Sequence, residues 1–198
     1  MDQQSLDGAS SPSSEAGVPA STLRWTLRQA TTGEHEALDQ RFATMSDGSP
    51  DSYRAFIRMN HACHVVIEEW LDRILPAEVK ALRERYDAHL TDDMRTLGLA
   101  HLPPQPFPVE GVSLSEAAGV VYVIDGSRLG TRLIARSPAA RQEGASAYVS
   151  AASAPGDVFA AFNALCGMID EAEIPASVEA ARKTFILFTR ASDHVCDT

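Results

Sequence analysis

Apolar residues recur at three- and four-residue steps through almost the whole chain, and this period limits the fold more than any other feature. Leu23, Leu27, Ala30, Thr31, Leu38 and Phe42 share one helical face. Phe56, Met59, Cys63, Ile67, Trp70 and Ile74 form a second stripe, and Val178, Ala181, Phe185, Phe188 and Val195 a third. No alternation of strand period competes with them over any length. The expected fold class is therefore all-α, a single-domain bundle of roughly seven helices.

At 198 residues the chain is long enough for one domain with a substantial core. A net charge of −10 argues against a nucleic-acid partner, which needs a basic face, and against an anionic membrane surface. No apolar run approaches the ~20 residues of a membrane helix. The N-terminus lacks the basic and apolar regions of a secretory signal. Cys63, Cys166 and Cys196 are too few and too scattered for a disulfide framework or a zinc cluster, so a cytoplasmic location is expected. Residues 1–20, rich in Ser, Gly, Ala and Pro, read as a flexible tail, and 21–196 as the helical domain.

Turn and cap residues divide that domain. Ser21 or Thr22 is placed to cap a first helix running to about Ala43, and Ser46–Pro50 is a turn cluster. A second helix is expected from about Asp51 to Ile74, ended by Pro76. Residues 77–98 read as a charged helix broken near Leu90–Thr91, with His89 facing solvent. The proline-rich stretch 102–108 cannot be helical. Ser113 and Glu116 form a capping-box pattern at the head of a buried helix expected to reach about Arg136. A short helix near 147–151 and longer ones over 157–168 and 174–195 complete the chain.

Three places carry possible chemistry. His35 falls on or beside the first apolar stripe. Such a histidine is ordinarily a core residue bonded to a carbonyl, but a neutral imidazole in an apolar slot is also a good axial ligand for haem iron. Arg28, about 10 Å earlier along the helix, is a cation where a haem propionate could emerge. Gly126 and Gly130 interrupt a buried helix at a cost of about 1 kcal/mol each against alanine. That cost implies either close helix packing or a flat ligand against bare backbone. Finally, His61, His64 and Glu68 share one side of the second helix, a pattern compatible with a metal but lacking matching ligands elsewhere.

Leu27-Arg-Gln-Ala-Thr-Thr-Gly-Glu-His35 resembles the proximal-helix motif of bacterial, biliverdin-producing haem oxygenases, a Leu-basic-x-Ala-Thr run ending in the iron-binding histidine. Val121-Tyr-Val-Ile-Asp-Gly-Ser-Arg-Leu-Gly130 resembles the glycine-containing distal helix, and Ala180–Phe185 the closing helix. The likeness spans about residues 22–192 and is nearest to the branch associated with bacteriophytochromes, which often reads Gly-Ser-x-Leu-Gly-Gly. It implies a haem-oxygenase-like bundle that cleaves haem to biliverdin with release of iron and carbon monoxide. Haem would be substrate and cofactor, a ferredoxin-type protein the electron donor and a bacteriophytochrome a possible biliverdin acceptor.

It also implies His35 as proximal iron ligand, Arg28 as propionate partner, and Gly126, Ser127 and Gly130 as the distal catalytic surface. Thr131 would lie against the ring. Arg132, with Arg136 beyond it, is a candidate for a basic rim, the alternative being an ordinary solvated helix end. Ser127 stands where many family members carry an aspartate that anchors distal water, and Thr131 where the branch usually has glycine. Asp125 points roughly 160–200° away from Ser127 and is a poor substitute for that aspartate. The alternatives are a haem-binding protein without turnover, and a non-haem di-iron protein of similar fold resting on His61, His64 and Glu68.

Overall fold

A computed structural model describes residues 17–45, 49–103, 105–136 and 144–196. Among these there is no strand, and the helices are α1 (Ala20–Ala30), α2 (Thr32–Met45), α3 (Pro50–Ile74), α4 (Ala77–Lys80), α5 (Asp87–Thr96), α6 (Leu114–Ile134), α7 (Ala147–Ala152), α8 (Ala160–Cys166) and α9 (Ile174–Cys196). A single 3-10 turn, Glu171–Glu173, leads into α9. No described helix is long and apolar enough to cross a membrane.

The local signals account for most boundaries. Ser49 caps α3 by accepting from the Ser52 amide at 3.2 Å, with Pro50 at the first position, where its missing N–H costs nothing. The Ser113–Glu116 capping box forms in both directions, Ser113 N–H to the Glu116 carboxylate at 3.1 Å and Glu116 N–H to Ser113 Oγ at 3.2 Å. Three boundaries differ from expectation. Val18 is buried and its amide donates to the Ile169 carbonyl, so the packed body begins before residue 20, while residues 1–16 lie outside the described part. The first helix is not one rod but breaks at Thr31. The charged stretch breaks at 81–86 rather than at Leu90, because Tyr86 is buried there and pulls the chain inward.

The last helix, α9, lies at the centre and packs chiefly on α6, and also on α3, α2 and α1. The α6–α9 seam is set by Gly119, where a Cβ would stand 2.0 Å from the Ser177 carbonyl oxygen. The two backbones therefore touch, and Ser177 Oγ donates across the seam to the Ser115 carbonyl at 2.7 Å. Leu23, Leu27, Ile57, Met59, Cys63, Ile67, Phe162 and Leu165 fill the interior around this axis.

Candidate functional site

The site begins at the break between α1 and α2. Thr31 is buried, and its hydroxyl donates to the Leu27 carbonyl at 2.8 Å. Arg182 of α9 reaches the break with two donors, Nε and Nη2, both to the Ala30 carbonyl at 3.2 and 3.0 Å, and also pairs with Glu34 at 3.3 Å. One arginine thus caps the end of α1 and ties down the first turn of α2.

His35 follows one turn after Thr31. The expectation that it points into an apolar slot needs correcting: its side chain is 61% exposed. The stripe is carried instead by Leu23, Leu27, Thr31 and Leu38, and His35 stands at its margin, its ring edge-on to Phe185 of α9 at 5.8 Å. Asp39, one turn on, meets His35 Nδ1 at 2.9 Å. A carboxylate at Nδ1 fixes that nitrogen as the proton-bearing one and leaves the Nε2 lone pair directed away from it. This is the arrangement by which a histidine is oriented as a metal ligand. The His-x-x-x-Asp spacing was readable in the sequence but not singled out there. Phe42, expected on the same stripe, has its side chain outside the described residues.

The other half of the site is α6. Its glycines divide into two kinds. Gly119 is filled by another backbone, whereas a Cβ on Gly126 or on Gly130 would meet nothing within 4 Å. The same helix face is therefore closed by α9 at its start and bare about two and three turns later. Tyr122, one turn before Gly126, links the two halves: its phenol lies beside the Thr31 hydroxyl, near the charges of Arg28 and Arg24, and its ring packs on Phe162 at 5.8 Å. Burial pushes its pKa up, and those neighbours pull it back. Thr31 and Tyr122 thus bring the end of α1, with Arg28, against α6.

Two expected participants turn elsewhere. Ser127 Oγ donates to the Ile124 carbonyl at 2.7 Å, and Thr131 Oγ1 to the Ser127 carbonyl at 3.2 Å. Both hydroxyls lie beside buried Tyr148 rather than on the bare face, since positions one and five residues after Gly126 are rotated by about 100–140°. Thr131 is buried there and does not crowd the glycine face. Arg128 donates to the Ala152 carbonyl at 3.3 Å and sits over the Tyr86 ring. Arg132 is half-buried at the end of α6, and Arg136 is exposed just beyond it.

Beneath α6 lies a buried polar cluster in which Arg83 and Asp125 join the His64 and Glu68 that the sequence groups on one helix side. Arg83 clamps Glu68 through two bonds of 2.5 and 2.9 Å, with both side chains almost fully buried. Burial pushes Glu68 up, but hydrogen bonding and charge from His64 and Arg83 overcome it and hold the carboxyl at about 2. His64 is also buried, 3.7 Å from Glu68, and its ring is enclosed by Tyr86, Tyr148 and Phe188. Asp125 shares the field of Arg83, yet its burial dominates and pushes it up to about 7. Glu68 is thus committed to an arginine, and His61 turns away toward His101, with ring centroids 4.9 Å apart. No three His, Cys, Asp or Glu side chains converge on a metal position among the described residues, so the di-iron donor set does not form.

Two observations are compatible with a haem-type group: an exposed imidazole with Nδ1 held by a carboxylate, and two α6 glycines, one half-buried and one exposed, that face open space. No family model matches the sequence, and no curated protein matches it. Among solved structures the chain is similar to the NO- and CO-bound heme oxygenase from Neisseria meningitidis, with a TM-score of 0.68 at 18% identity over 87% of this chain and 91% of that one. The chain therefore has a haem-oxygenase-like helical fold.

Proposed function

We propose that this protein is a haem oxygenase, binding haem against α2 and the bare face of α6 and cleaving it with oxygen to biliverdin, iron and carbon monoxide. The observation that carries the reading is the contrast between Gly119, filled by α9, and Gly126 and Gly130, filled by nothing. A helix accepts about 1 kcal/mol per interior glycine only where something needs the bare backbone. Haem, when bound, supplies both the iron that activates oxygen and the ring that is cleaved.

The chain's own groups have separable tasks. Asp39 holds the proton of His35 at Nδ1, which orients the ring and strengthens Nε2 as a donor. Arg28, exposed beside Tyr122, offers a guanidinium to a propionate. Gly126 and Gly130 leave room for a flat ring against the helix backbone. Arg132 and Arg136 provide local positive charge where an acidic ferredoxin-type donor could dock on a chain of net charge −10. A cytoplasmic site of action accords with the free, buried thiols of Cys63 and Cys166. Delivery of biliverdin to a bacteriophytochrome rests on the Gly126-Ser127-Arg128-Leu129-Gly130 pattern alone.

One observation favours the second reading, haem binding without turnover. The Ser127 hydroxyl is occupied by the Ile124 carbonyl, so it does not present itself to water over the glycines. Haemin added to the purified protein, followed by ascorbate or a ferredoxin system in air, separates the two. A Soret band that decays into a biliverdin spectrum supports oxygenase activity, and a stable one supports binding alone. A native Soret spectrum in His35→Ala indistinguishable from wild type would remove His35 as ligand.

A further inference from the structure

His61 and His101 face each other on the opposite side of α3 from its buried apolar stripe, well separated in role from the glycine face of α6. Their ring centroids are 4.9 Å apart with planes inclined at 50°. His61 is nearly buried, and among the described residues its Nε2 has a long 3.4 Å contact with the Thr91 hydroxyl. His101 is exposed and lines a small cleft of about 240 Å³ with Thr91, Met94, Arg95, Gly98 and Leu99.

The juxtaposition is built rather than incidental. Gly98 adopts a positive φ of 62°, which turns the chain back at the end of α5. The Leu99 amide then donates to the Met94 carbonyl at 3.0 Å, and Arg58 of α3 donates through Nε to the Ala100 carbonyl at 3.2 Å. These bonds hold the segment carrying His101 against α3. The result sets two rings side by side that would repel if both were protonated. An imidazole nitrogen lone pair is what a transition metal binds.

We infer that His61 and His101 form a two-imidazole site for a divalent transition metal of the zinc class, its remaining positions taken by water. A metal about 2.1 Å from one nitrogen of each ring would lie about 3.2 Å from each centroid, so a ring separation of 4.9 Å leaves room for an angle of about 100° at the ion once each ring turns a nitrogen toward it. The carboxylate of Asp87, oriented by Arg85 at 2.7 and 3.2 Å, supplies nearby negative charge. The bound ion would staple the 97–101 segment to α3. This inference does not depend on the haem reading.

The test is Zn²⁺ titration of the full chain by calorimetry, with ¹⁵N-histidine NMR and thermal melting alongside. Wild type is expected to bind Zn²⁺, shift the resonances of both imidazoles and melt at higher temperature with the ion present. His101→Asn, on an exposed segment, and His61→Gln should each lose the binding, the shift and the gain in melting temperature. If His61→Gln fails to fold, His101→Asn decides alone. Absence of binding by wild type, or binding that His101→Asn leaves unchanged, overturns the site.

Discussion

Replacing Gly119 and Gly126 in turn by alanine should move stability in opposite directions, although both are glycines in the interior of α6. The intrinsic helix gain is the same, about 1 kcal/mol in favour of alanine. At Gly126 nothing lies within 4 Å of the new methyl, so that gain should appear undiminished in the haem-free protein. At Gly119 the methyl would stand 2.0 Å from the Ser177 carbonyl oxygen and 3.0 Å from the Ala181 amide nitrogen, where ordinary contact begins near 3.4 Å. Neither neighbour is the free end of a side chain, so α6 and α9 must part. Overpacking of this kind costs about 1–3 kcal/mol. Loosening the 2.7 Å Ser177–Ser115 hydrogen bond adds about 1 kcal/mol, leaving a net loss of about 1–3 kcal/mol after the helix gain. Urea unfolding followed by circular dichroism measures both, through the midpoint at unchanged slope. Haemin titration adds the functional half: Gly126→Ala should raise the haemin Kd by roughly 5- to 150-fold if crowding costs about 1–3 kcal/mol. A Gly126→Ala protein that is no more stable than wild type, or a Gly119→Ala protein that is neutral, would refute the division of the two glycines on which the site rests.

Other changes follow from the same geometry. Arg83→Met should destabilise by about 3–5 kcal/mol, because it leaves the Glu68 carboxylate buried and unpaired, and the added Glu68→Gln change should recover part of the loss in chemical denaturation. Asp125, pushed up to about 7, binds a proton more tightly folded than unfolded, so its contribution to stability declines as pH rises from about 4 through 7. Asp125→Asn should flatten that slope and be more stable than wild type at pH 8, by an amount on the order of a few kcal/mol read from denaturation at several pH values. Glu68, held at about 2, works in the other direction: its contribution is complete above the ordinary carboxylate range and disappears as pH falls toward 2. Arg182→Gln should change global stability by no more than about 1 kcal/mol, since the side chain is half exposed, yet alter the haemin spectrum by loosening the α1–α2 break before His35. An unaltered spectrum would remove Arg182 as a positioning residue.

Helical period and punctuation were enough to read the all-helical class, the capping box at Ser113, the extended proline segment and most helix ends. Each is a local matter of face, cap or missing N–H, which a short window of sequence contains. The residues of the proposed site are also legible as residue types: His35, Arg28, Gly126 and Gly130 stand out by spacing and by the cost of glycine in a helix. What they face is not. His35 stands at the margin of its stripe, where a few tens of degrees of helix rotation decide between interior and solvent, and the break at Thr31 sets that rotation through Arg182, far away in sequence. Ser127 and Thr131 adjoin the glycines in sequence but turn toward Tyr148, because adjacent helical positions diverge by about 100°. Which glycine is filled and which is bare depends on how α9 diverges from α6, and the Glu68–Arg83–Asp125 cluster and the His61–His101 pair exist only because separate elements meet. Periodicity records which side of a helix is apolar, and only the packing of several helices determines what that side meets.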